Sequence, residues 1–203
     1  MKNAMMKWLP AIVAGAALAA LAPMASATVL TFDDIGADSL MTDVDNGTYG
    51  GLNWSGNAFM AWGQAQDPFT AHSGDFRLIS TAFSGEPDPA ADALTSIRFN
   101  TASTFQGAWF SGLQGATVTF DLFYQGQQVG TSATLDPSAT PSFLSSGYSG
   151  LVDQVIVASA SQGSYAMDDF TFAAAVPEPE TYALMLAGLG VVGAVARRRK
   201  ARG

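Results

Sequence analysis

An antiparallel β-sandwich of jelly-roll type is the fold this sequence predicts: an all-β domain flanked by an N-terminal signal peptide and a C-terminal transmembrane helix. Three observations lead there. Between positions 28 and 175, apolar and polar residues alternate in short runs, the period of a half-buried strand, and no stretch keeps a convincing helical period. Gly, Asn, Asp, Ser and Pro interrupt those runs, as turns between many short strands require. The long uncharged apolar segments stand at the two ends of the 203-residue chain.

The first element is residues 1–27, which have the three-part form of a secretory signal. Lys2 and Lys7 make a basic start, and an apolar stretch rich in Ala, Leu, Ile and Val follows from about Trp8 to Leu21. Ala25-Ser26-Ala27 then offers small side chains at the positions a signal peptidase accepts, which predicts a mature start at Thr28. The apolar core is short for an uncleaved membrane anchor.

Residues 28–175 are enough for one domain with its own core. The strands expected in order are Val29–Phe32, Gly51–Trp54, Phe76–Phe83, Ser96–Asn100, Ala108–Ser111, Thr117–Tyr124, Gln128–Leu135, Val152–Ala158 and Tyr165–Phe172. The clearest places Val118, Phe120, Leu122 and Tyr124 on one face, with Thr119, Asp121 and Phe123 on the other. Gln125-Gly126-Gln127 then turns the chain into a hairpin. Of the large aromatics Trp54, Trp62, Trp109 and Phe110, most are expected in the core, with one or two free to line a sugar-binding face.

Charge and composition exclude several function classes. Within the domain only Arg77 and Arg98 are basic, against 14 Asp and one Glu, so the balance is 2 − 15 = −13. Such a surface repels phosphate backbones and argues against nucleic acid, while it keeps a secreted protein soluble and attracts divalent cations. There is no cysteine, so disulfides, thiolate metal sites and cysteine nucleophiles are excluded. The single histidine, His72, reads as a solvated loop residue, and one histidine cannot make a His-rich zinc site.

Paired carboxylates supply the metal candidate. Asp33-Asp34 and Asp168-Asp169 sit on the first and last expected strands, which in a jelly roll commonly lie side by side. Four carboxylates brought together repel unless a cation, an arginine or protonation relieves them. Calcium, which takes six to eight oxygens, is the ion that suits them, so a structural calcium site on Asp33, Asp34, Asp168 and Asp169 is one expectation. The alternative is that one member of each pair faces solvent and caps a turn. Asp43-Val44-Asp45-Asn46-Gly47 departs from the calcium-loop pattern, with Gly at the fifth position and Trp54 at the twelfth, and reads as a polar turn.

Catalytic residues are scarce. A Ser-His-Asp triad would need His72 as its base, and no Gly-x-Ser-x-Gly elbow accompanies a serine. A glycosidase pair would rest on Glu86, held in the proline-bound Gly85-Glu86-Pro87-Asp88-Pro89 segment. The expectation is a protein that is not an enzyme.

The last element spans residues 176–203. Pro177 and Pro179 flank Glu178 and hold the chain extended. No charge then occurs from Tyr182 to Ala196, a span of fifteen residues, and Arg197, Arg198, Arg199 and Lys200 begin a basic tail over 197–202. A transmembrane helix over about 182–196 is expected, with snorkelling arginines and local bilayer thinning making up for its shortness. The basic cluster stays cytoplasmic by the positive-inside rule, which leaves the domain outside.

This tail resembles the PEP-CTERM sorting signal of Gram-negative bacteria, in Pro177-Glu178-Pro179, the apolar helix and the terminal basic cluster. Thr31-Phe32-Asp33-Asp34, Tyr49-Gly50-Gly51-Leu52-Asn53-Trp54 and Ala166-Met167-Asp168-Asp169-Phe170-Thr171-Phe172 are similar to segments of β-sandwich domains found ahead of such signals. The resemblance implies processing near the Pro-Glu-Pro segment by an exosortase, a membrane transpeptidase-like enzyme. It further implies residence in the inner membrane before processing, and at the cell surface or in an extracellular polysaccharide matrix after it. The function expected is that of a non-catalytic surface or biofilm-matrix protein associated with exopolysaccharide. A carbohydrate-binding module with a structural calcium is the alternative, and a secreted hydrolase a third.

Overall fold

The computed structural model describes residues 26–35, 41–44, 47–55, 59–80, 95–161, 164–175 and 179–200. The expected signal segment up to residue 25, Glu86 and its prolines, and Pro177 and Glu178 lie outside the described residues. The strands fall within one compact unit, Ser26–Ala175, and the C-terminal helix α1 (Pro179–Lys200) belongs to another.

The strands are β1 (Thr28–Leu30), β2 (Met41–Asp43), β3 (Thr48–Tyr49), β4 (Leu52–Ser55), β5 (Phe59–Trp62) and β6 (Arg77–Ser80). They continue with β7 (Thr95–Gly112), β8 (Val118–Tyr124), β9 (Gln127–Thr131), β10 (Ser142–Ser145), β11 (Leu151–Ser159) and β12 (Tyr165–Ala174). All of their pairings are antiparallel. The two runs expected at Ser96–Asn100 and Ala108–Ser111 are one strand, β7, whose 18 residues belong to both layers. Its first part lies between β4 and β11, and its last part between β12 and β10. One layer is therefore β4-β7-β11-β8-β9 and the other β2-β5-β6-β12-β7-β10, with β1 on the edge of β12.

The core lies between these layers. On β8 the alternation behaves as the sequence requires, with Val118, Phe120 and Leu122 fully buried. Phe120 meets Phe105 and Phe110 of β7 at ring distances of 4.8 and 5.6 Å, and Trp54 of β4 meets Phe170 of β12 at 5.9 Å. Each such ring contributes roughly 1.5–3 kcal/mol by leaving water, so aromatic contact across the layers is a principal source of cohesion. The β8–β9 hairpin turns at Gln125 and Gly126, both with positive φ (51° and 75°), the backbone of a type I′ turn.

On β12 the inward parity changes midway. Tyr165 and Met167 face the core, and then Phe170 and Phe172 do, so one residue has been inserted. The register with β7 slips between Asp168 and Thr171, where Asp169 has φ of 48°. The bulge leaves Ala166 on the opposite face, where it packs with Phe69 and Ile79 in a small second cluster beneath the loop 63–76.

Helix α1 starts at Pro179, a residue whose fixed φ suits the first helical position. Leu184, Leu189 and Val192 are 74, 61 and 66% exposed, and Arg197, Arg198 and Arg199 fall in its last turn. Among the described residues no helix is long and apolar enough to cross a membrane. The expected transmembrane span of about 182–196 thus falls short. Fifteen residues rise ~22 Å, against a hydrocarbon core ~30 Å thick.

Candidate functional site

The loop 63–76 joins β5 to β6, and its ends are close because Trp62 and Arg77 are paired in the register of those strands. A loop of that kind needs internal partners to hold its shape. Arg77 supplies them from inside. Its side chain is 2% exposed and donates from Nη1 to the carbonyls of Trp62 (2.8 Å) and Asp75 (3.3 Å), and from Nη2 to that of Gln64 (2.7 Å). Burial lowers its pKa, while the negative charge of Asp168 opposes that shift.

Three of the four predicted carboxylates grip the same loop. Asp168 accepts the backbone N–H groups of His72 and Ser73 on Oδ2 (2.8 and 2.9 Å) and that of Asp169 on Oδ1 (2.7 Å). Asp169 accepts the Ser73 hydroxyl on Oδ1 (2.7 Å) and faces His72 Nδ1 from Oδ2 at 2.5 Å. Asp33 accepts the N–H groups of Asp75 and Phe76 (2.9 and 3.0 Å). A Cβ at Gly74, whose φ is +53°, would sit 2.1 Å from that carboxylate, so only glycine fits there. Asp34 lies apart and accepts the Tyr49 hydroxyl at 2.5 Å. Burial, and then this bond to a carboxylate, push the Tyr49 phenol well above its ordinary range.

The first and last strands do lie side by side, Leu30 opposite Phe170. Among the described residues, however, no group of three or more His, Asp or Glu is arranged to hold a metal ion. Asp168 and Asp169 instead accept N–H and O–H donors on both oxygens, and Asp33 accepts them on Oδ1, a turn-capping arrangement. Burial pushes Asp168 up to about 7, outweighing the Ser73, Asp169 and His72 N–H donors that favour its anion.

His72 is a working part of this cluster rather than a solvated loop residue. Its ring lies flat on that of Trp109, centroids 3.5 Å apart and planes 9° from parallel. Trp109 in turn touches Phe143 of β10 at 5.7 Å. The parity of β7 foretells Trp109 on the outer face, since Phe110 beside it is buried. Nothing in the sequence foretells its partner, 37 residues away (109 − 72). Ser73 and His72 bind one carboxylate rather than each other, so this trio lacks the nucleophile–base hydrogen bond of a hydrolytic triad. Trp54 and Phe110 are core, and Trp62 is half-buried against the second cluster.

Comparison with known proteins agrees with the tail. Among curated proteins none matches the chain. Solved structures similar to it include a family 29 carbohydrate-binding module, with 13% identity, 74% of this chain and 93% of that chain covered, and a TM-score of 0.39. A variant of such a module complexed with mannohexaose gives 13%, 74%, 93% and 0.38, and one complexed with cellulohexaose 13%, 73%, 90% and 0.39. A family model described as the PEP-CTERM protein-sorting motif matches residues 175–200, the span that holds Pro177-Glu178-Pro179, the apolar helix and Arg197 to Lys200. By that motif the chain is an exported protein carrying a PEP-CTERM sorting signal behind a β-rich domain.

Proposed function

We propose that this is a non-catalytic surface or extracellular-matrix protein, held at the inner membrane by its tail and then processed near Pro177-Glu178-Pro179 by an exosortase-type transpeptidase. Its β-rich domain then resides at the cell surface or in the matrix, with exopolysaccharide as its partner. The observation that carries this reading is helix α1. Leu184, Met185, Leu186, Leu189, Val191 and Val192 are all exposed along it, so its apolar surface is not confined to one stripe. A helix apolar on all sides belongs in lipid or against other protein, not in water. Its arginines stand at one end, where they can reach anionic headgroups while the shorter apolar part is accommodated by thinning of the bilayer. The absence of a nucleophile–base pair in the His72 cluster supports a binding role over hydrolysis.

The test is intact-mass analysis of the protein from membrane, surface and culture-fluid fractions. We expect a precursor in the membrane, and a surface form that starts at Thr28 and ends near Glu178. A Pro177→Ala/Pro179→Ala variant is expected to accumulate as the membrane precursor. A surface form that keeps Arg197 to Lys200, or a domain found in the cytosol, defeats the proposal.

A further inference from the structure

One face of the sandwich carries an open groove of about 640 Å³ where β7, β10 and the segment 146–149 meet. The volume lies in the range of small-ligand sites. Two rings dominate its wall, Phe143, 42% exposed, and Tyr148, half-buried. Between them stand Thr104, Gln106, Ser145 and Ser149. Among the described residues the Gln106 amide and the Ser149 hydroxyl make no hydrogen bond within the protein. Among the described residues no charged side chain lines the groove, although the domain holds 14 Asp and one Glu against two Arg.

The groove is built rather than incidental. Buried Ser146 donates to the carbonyl of Phe105 at 2.6 Å, and its N–H bonds the carbonyl of Gln106 at 2.9 Å, so the 146–149 segment is tied to β7. The Tyr148 ring lies over Gly150, where a Cβ would stand 2.3 Å from its hydroxyl oxygen. The Phe143 ring lies over Gly107, where a Cβ would stand 2.8 Å from its tip. Two glycines therefore make room for two rings, which fixes the rings in place at little entropic cost on binding. From Phe143 the aromatic surface continues to Trp109 and His72.

The geometry points to this groove as a binding site for a neutral polysaccharide. Aromatic faces take the C–H surfaces of pyranose rings, the amide and hydroxyls pair with sugar hydroxyls, and an uncharged wall in an acidic domain selects against anionic polymers. An extended peptide would instead add to a sheet edge through its backbone and leave the rings unused. The inference rests on the exported location proposed above, and it identifies the kind of exopolysaccharide the protein takes.

Affinity electrophoresis of the processed protein through gels containing hydroxyethylcellulose, galactomannan or alginate tests it. Retardation is expected in at least one of the two neutral polymers and none in alginate. Phe143→Ala is expected to weaken binding at least about tenfold, and Gln106→Ala by a smaller factor. Phe143 is exposed, so that variant should keep its far-ultraviolet circular dichroism, and Gln106→Ala provides a second check. Absence of retardation in both neutral polymers, retardation in alginate, or unchanged binding of a folded Phe143→Ala protein overturns the inference. So does competition by an extended peptide that is indifferent to Phe143. The two proposals fail separately. A protein correctly processed and surface-located that binds no neutral polymer defeats the groove alone, and one that binds but keeps its basic tail at the surface defeats the sorting reading alone.

Discussion

Asp168 shows how far a side chain's setting can depart from its place in the sequence. It stands on a strand, 2% exposed, and burial pushes its carboxyl from 3.8 up to about 7 despite three backbone N–H donors. In the unfolded chain the group loses its proton near its ordinary value, so between about 3.8 and 7 the folded chain holds a proton the unfolded chain has released. The stability it contributes is complete below the lower value and disappears as pH rises through the upper one, a swing of up to about 4 kcal/mol at 1.36 kcal/mol per unit. Asp168→Asn keeps an acceptor oxygen of the same reach but does not titrate. Urea midpoints of the two proteins should therefore diverge in favour of the variant as pH is raised from about 4 to about 8. Parallel curves would show that the proton is not held there. The aspartate pairs themselves were legible, since adjacency of the first and last strands follows from the sandwich. Their partner, the 72–76 segment, was not, because contacts across 96 and 97 residues leave no local pattern.

The strand β7 is where reading by pattern alone divides what the structure joins. Residues 101–107, Thr-Ala-Ser-Thr-Phe-Gln-Gly, open on four small side chains and end in glycine, which are the marks of a connection. They remain a strand because partners on both edges take their backbone groups, with β11 giving way to β10 on one side and β4 to β12 on the other. Gly107 makes the approach of β10 possible. Its φ is +142°, and a Cβ there would lie 2.1 Å from the backbone carbonyl oxygen of Leu144. Gly107→Ala should cost about 2–3 kcal/mol or more, since both the dihedral and the strand separation must give way. A denaturant midpoint unchanged from wild type would mean that β10 can shift at no cost. Strands with several inward residues, such as β8 and β11, were readable by alternation. The four-residue β10 was not: it places one buried side chain, Leu144, which is too little to establish a period.

At the scale of the whole molecule, the balance of −13 in the domain and the assignment of its carboxylates bear on one measurement. Like charges crowded onto a compact surface repel, and the unfolded chain relieves that repulsion by expanding. Sodium chloride should therefore raise the melting temperature of the mature protein by a few degrees between low and physiological ionic strength, where the screening length falls to ~8 Å. Calcium enters the same experiment in two ways. As a screening ion it acts only through ionic strength. As a ligand of Asp33, Asp34, Asp168 and Asp169 it would act at low concentration and beyond screening, by mass action on the folded state. Because Asp33, Asp168 and Asp169 are already bonded to the 72–76 loop and Asp34 to Tyr49, the expectation is screening alone. Melting curves in calcium chloride and in sodium chloride of matched ionic strength should coincide, and EDTA should leave the midpoint unmoved. A rise specific to calcium, abolished by EDTA and by Asp33→Asn, would establish a calcium site on these carboxylates.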